Sequence, residues 1–179
     1  MQARVHYAAS LALYQTLGAE AMVGVVVYAA SPAVNRMLGA EALTGVVLGD
    51  LANVARLRGD LTEAGERWQE ALAIVRRFIK NKWAAGWALA NIGTLLEQQG
   101  DHRGAAWLIG AATTTHAVFW TSIDPDEREA CETAQAAARG ALGEAAYAAA
   151  WVEGQALSVE RALALVLERL GGGLRPGDR

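Results

Sequence analysis

A chain of 179 residues is long enough for one domain with a substantial core and does not call for a second. Hydrophobic residues make up 53% of it and prolines number three, a balance that favours helix over strand or disorder. A formal net charge of -3 and a pI near 5.6 give no general attraction to nucleic acid or acidic lipid, and the single cysteine, Cys131, excludes an internal disulfide and a cysteine-rich zinc site.

Met1 to Ser10 lacks the cationic head and unbroken apolar run of a signal peptide, and no apolar stretch is long enough to span a bilayer, so a soluble, cytoplasmic protein with no membrane contact is expected. The first helical unit, residues 1–38, turns at Gly18 and carries Tyr7, Tyr14, Val23, Val27 and Ala30. Its run of valines at 25–27 would suit a strand if taken alone, but the repeat described next argues for helix. In the second unit, 40–80, Leu48, Leu51, Ala52 and Ala55 form an apolar stripe before Gly59, and Ala64, Trp68, Ala71, Leu72 and Val75 form another after it. Gly59 suits the left-handed end of the first helix, and Asp60 with Glu63 suits a capping box for the second.

In the third unit, 82–118, Leu89, Ile92, Gly93 and Leu96 precede Gly100, while Ala105, Ile109 and Ala112 follow it. Gly59 and Gly100 are 41 residues apart, each is followed by Asp, and Gly18 precedes Gly59 by the same interval. Ala52, Ala64 and Gly93 are the small residues that would let paired helices approach closely. The fourth unit, 124–169, opens with Asp124, Pro125 and Glu127 as cap, first helical residue and capping-box partner. The sequence predicts a helix from Pro125 to about Arg139, a break over 140–143, a helix from Glu144 to Val152 and another break at Gly154. Ser158 caps a last helix with Leu163, Leu165, Val166 and Leu170 on its apolar face. Residues 171–179, rich in glycine, read as a flexible tail.

A bulky residue, then Leu, Gly or Ala, a Gly-Asp turn and two later alanines resemble the tetratricopeptide repeat. The matching residues are Leu48, Leu51, Ala52, Ala55, Gly59, Ala64, Trp68 and Ala71 in one unit, and Leu89, Ile92, Gly93, Leu96, Gly100, Ala105 and Ala112 in the next. The resemblance implies an all-α fold over residues 1–170, with about eight or nine helices in antiparallel hairpins stacked as a right-handed superhelix. A period of 41 in place of about 34 requires longer helices or connections. Residues 103–112, 124–128 and 141–158 also look like the end of the helical-repeat region of bacterial LuxR-type transcriptional regulators and related signalling ATPases. That likeness implies a regulatory arm contacting a protein or an effector. No Walker-type phosphate loop and no helix-turn-helix reader accompanies it.

His6, His102 and His116 have no metal-ligand spacing, and no nucleophile-base arrangement is present, so no metal, cofactor or catalytic residue is expected. Cys131, with Glu129 and Glu132 nearby, reads as an inert structural thiol. The acidic group at 124–129 reads as helix capping, and Arg76, Arg77, Lys80 and Lys82 read as charge complementing a helix C-terminus. Trp83, Trp87, Trp107 and Trp120 crowd around one unit. Trp83 and Trp87 share a helix face and either line a groove for a protein or peptide, or pack in the core. Asn91 and Asn53 lie on first helices of neighbouring units, but their spacing of 38 does not make them equivalent positions. Two uses of these residues stay open: a protein-interaction scaffold with Trp83, Trp87, Asn91, Trp107 and Trp120 as candidate contacts, or a sensor enclosing a small effector among the tryptophans. Tyr7 and Tyr14 are candidates for self-association as a homodimer.

Overall fold

The computed structural model describes residues 32–78, 82–115, 119–123 and 125–171, and only the backbone over 32–44. Seven helices and no strand are present among them: α1 (Pro32–Leu57), α2 (Leu61–Val75), α3 (Lys82–Gln98), α4 (His102–Thr115), α5 (Pro125–Leu142), α6 (Glu144–Gln155) and α7 (Val159–Gly171). A 3-10 turn, Arg76–Phe78, follows α2, and a single helical turn, Phe119–Ser122, precedes α5. The first unit, with Gly18, Tyr7, Tyr14 and the valines at 25–27, lies outside the described residues up to Ser31, as do His6, Lys80, His116, Asp124 and the tail beyond Gly171.

The two Gly-Asp turns are built alike. Gly59 (φ 83°) and Gly100 (φ 86°) take the left-handed conformation that a side chain resists. Around Gly59, the Asp60 amide donates to Ala55 O and the Gly59 amide to Arg56 O; one period later the Asp101 amide donates to Leu96 O and the Gly100 amide to Glu97 O. Each turn is thus a Schellman closure of the preceding helix. The aspartate then caps the next helix: Asp60 Oδ1 accepts from the Glu63 amide at 2.9 Å and Asp101 Oδ1 from the Gly104 amide at 2.8 Å. Glu63 faces forward to Arg67 at 3.2 Å.

These turns fold α1 onto α2 and α3 onto α4, the two most extensive helix pairings. Ala52, Ala64, Trp68, Ala71 and Leu72 are fully buried in the first pair, and Leu89, Ile92, Ala105, Ile109 and Ala112 in the second. Small residues set the distance of approach. A Cβ on Gly93 would lie 2.6 Å from Ile109 Cγ1, and one on Gly49 would lie 2.5 Å from Trp87 Cη2 and 2.8 Å from Trp68 Cη2. Gly49 therefore makes the space in which the Trp68 and Trp87 rings meet, 5.3 Å between centroids and tilted at 56°.

The fourth unit differs from the expected hairpin. α5 continues through Gly140 to Leu142 and ends at Gly143 (φ 77°), and α6 runs to Gln155, straight through Gly154. Gly154 is a contact point and not a break: it is buried where α6 crosses α4 against the Trp107 carbonyl. α6 pairs with α4 far more than with α5. Ser158 Oγ accepts from the Arg161 amide at 3.2 Å and starts α7 as the sequence predicts. α7 then folds back and packs Ala162, Leu163 and Val166 against α2, α3 and α4. Its end is tied by Arg169 to Asp101 and by the Gln69 side chain, which donates to Leu170 O.

Candidate interaction surface

The first helix of each hairpin, α1 and α3, and the first helix of the last unit, α5, lie side by side, with α3 touching both others. Asp50, Asn53 and Arg56 are spaced three apart on α1 and so occupy one face of it. Asn53 Nδ2 donates to Asn91 Oδ1 on α3 at 3.0 Å. Asn91 Nδ2 donates to Trp87 O at 3.0 Å and, more weakly at 3.5 Å, to Glu127 Oε1 on α5. The same carboxylate oxygen accepts the Trp87 indole N–H at 2.8 Å. A polar chain thus crosses three helices.

Burial governs the ionisable groups here. Asp50 is 3% exposed, its Oδ2 has no hydrogen-bond partner, and burial followed by the Glu127 charge pushes its carboxyl well above the ordinary range. Arg56 is 7% exposed with Nε unpartnered; burial lowers its guanidinium, against the opposing charges of Cys131 and Glu127. Burial also pushes the Cys131 thiol up to about 11, opposed by its contact with Thr94 at 3.6 Å. Beside this network a cleft of about 330 Å³ opens between α1, α3 and α5, its lining including Arg56, Thr94, Glu97, Asp126, Glu129 and Thr133. His102 Nδ1 stands 3.7 Å from Glu97.

The candidate residues scatter over this framework. Trp87 (3% exposed) and Asn91 (4%) are brought together inside the network. Trp83 and Trp120 are half-buried against the same core, and Trp107 is half-buried on α4 with the Arg169 guanidinium 5.9 Å from its ring centroid. None of these four tryptophans lines the cleft. Tyr7 and Tyr14 lie outside the described residues. Asp50, Arg56 and Glu127 carry much of the surface, and sequence reasoning does not single them out for it. The signal for Asp50 is the repeat itself, because Asp50 precedes Asn91 by the same 41 residues that separate the turns. Glu127, assigned to capping, supplies the acceptor that joins α5 to α3. No group of three metal-ligating side chains occurs among the described residues, and no described helix is long and apolar enough to cross a membrane.

Stacked antiparallel helical hairpins closed by matching Gly-Asp turns define a helical-repeat domain. The tetratricopeptide repeat family profile matches residues 43–106, from the middle of α1 into α4, so this region is a tetratricopeptide-like helical domain. Such domains are protein-interaction scaffolds, generally without catalysis. No curated protein and no solved structure matches the chain.

Proposed function

We propose that the protein is a non-catalytic scaffold that holds a segment of a partner protein along the face formed by α1, α3 and α5. The observation that carries this reading is the polar chain from Asn53 through Asn91 to Glu127, which runs beside an open cleft where a purely structural seam would be apolar. Main-chain groups of an extended segment match the donors and acceptors such a surface offers. The likeness of residues 103–158 to regulator repeats supports a place for this scaffold as a regulatory arm in a cytoplasmic bacterial signalling or transcriptional protein. That stretch lies outside the matched repeat except at Arg103 to Ala106. The competing sensor reading requires the tryptophans to converge on one cavity; Trp107 instead faces α7 and Trp87 faces Trp68.

The test places a photo-crosslinking residue at Thr133, exposed in the cleft lining, and for comparison at Thr62, exposed on α2. A partner captured from Thr133, lost when Ala130→Trp fills the same cleft and absent from Thr62, supports the scaffold. Equal capture at both positions, or survival after Ala130→Trp, refutes the assignment of this face. A captured signalling or transcription component supports the regulatory context, and a metabolic enzyme overturns it.

A further inference from the structure

Three buried polar atoms without hydrogen-bond partners belong to residues a helical turn apart on α1: Asp50 Oδ2, Asn53 Oδ1 and Arg56 Nε. Buried groups of this kind are expected to be satisfied, and of these three residues only Arg56 lines the cleft, so its guanidinium is the one that a bound segment can meet. A guanidinium donor is complemented by a C=O, which a peptide main chain carries. At its Arg56 end the row meets the cleft, and there the charges are unequal. Glu97 from α3 with Asp126 and Glu129 from α5 stand around Arg56, while Glu127 carries a further negative charge behind them. The Asp50 carboxyl, held protonation-prone by burial and by Glu127, sits in the same negative field. His102, beside Glu97, is a further basic side chain at this rim. An acidic segment would add like charge to this site, whereas a basic one is drawn to it.

Resting on the scaffold reading above, we infer that the cleft between α1, α3 and α5 docks a cationic segment of a partner protein. A lysine or arginine side chain sits against Glu97 and Glu129, and a main-chain carbonyl lies toward the Arg56 guanidinium. The chemistry requires no catalysis and no cofactor.

Binding of fluorescently labelled lysine-serine, glutamate-serine and all-serine peptides to the full chain, followed by anisotropy at low and high salt, tests this. The lysine peptide is expected to bind at least about tenfold more tightly than the glutamate peptide, with the preference reduced by salt. Glu129→Lys is expected to weaken it roughly fivefold. Glu97→Gln provides a second variant with a milder change, and circular dichroism checks that both fold. Glu160→Lys makes the same charge change on α7, which packs on α2, α3 and α4, and is expected to have less than about a twofold effect. Preference for the acidic peptide, equal weakening by Glu160→Lys, or no binding of any peptide overturns the inference. The scaffold reading is judged separately: a partner captured at Thr133 through an acidic or neutral segment retains the scaffold and discards the cationic site.

Discussion

Gly154→Ala is expected to destabilise the protein, although the same change in a free helix is stabilising. An added Cβ would overlap the Trp107 carbonyl oxygen and lie 2.8 Å from the Trp107 carbonyl carbon and 3.1 Å from the Ala111 nitrogen. The contact is reciprocal, since a Cβ on Gly110 would lie 2.7 Å from Trp151 O and 3.3 Å from Trp151 Cα. These obstacles are helix backbone and cannot swing aside, so α6 must withdraw from α4 and carry Tyr147 and Ala150, both buried, with it. Replacing glycine in a helix interior gains about 1 kcal/mol, and over-packing costs about 1–3 kcal/mol, with rigid neighbours selecting the upper end. The net loss is about 2 kcal/mol, which lowers the melting midpoint of a chain this size by roughly 4–8 °C. Gly140→Ala is the control: Gly140 sits inside α5 with nothing within 4 Å of the place an added methyl group would take, so the substitution should stabilise by about 0.5–1 kcal/mol. Urea and thermal unfolding of the three chains measure the effect. A Gly154→Ala chain as stable as the parent would refute the argument that backbone contact joins α4 to α6.

Asp50→Asn is expected to stabilise the protein at neutral pH by about 1–3 kcal/mol, because the amide keeps the shape without an uncompensated buried charge. The sign follows from its raised carboxyl: the folded state favours the protonated acid, so its contribution is complete below about pH 4 and is lost as pH rises toward the raised value. Unfolding midpoints of the parent and Asp50→Asn should therefore diverge as pH rises above about 4, and curves that stay parallel from there upward would contradict the assignment. Cys131, with its thiol pushed up to about 11, should react with a disulfide reagent at pH 8 only after denaturation. Rapid native labelling would show that α5 opens readily from α3. Leu163→Ala, at a fully buried position on α7, should cost about 2–5 kcal/mol and raise protease sensitivity after α6; unchanged unfolding would show that α7 is not part of the cooperative fold.

The repeat is legible in the sequence because it rests on local chemistry. Gly59 and Gly100 require left-handed backbone, Asp60 and Asp101 accept from amides three residues on, and the flanking apolar stripes follow one period. Ser158 is legible for the same reason. What escapes depends on contacts between segments far apart. A helical glycine at a backbone crossing and one at a break have the same local sequence, so Gly154 reads as an interruption unless α4 is placed against it. The separation of 38 residues between Asn53 and Asn91, taken alone, argues against a shared role. In the fold, neighbouring first helices are offset by about one turn, and a pair three short of the period is what meets across them. Glu127 and the tryptophans show the same limit, since a capping carboxylate and an aromatic stripe do not reveal which distant helix they will face.

The position of α7 connects the junction of the two hairpins to the proposed surface. Direct packing between the first hairpin and the second is light compared with packing inside each hairpin, and α7 touches α2, α3 and α4 across that junction. Leu163 and Val166 are fully buried there, while Arg169 pairs with Asp101, the same residue that caps α4. The helix therefore bridges the two hairpins, and its contacts on both sides restrain their relative angle. Asn53 and Asn91 belong to different hairpins, so the 3.0 Å bond between them, and the cleft beside it, depend on that angle. A helix remote from the cleft in sequence thereby contributes to holding the cleft's shape, which ties the stability of the fold's far end to the affinity of its interaction face.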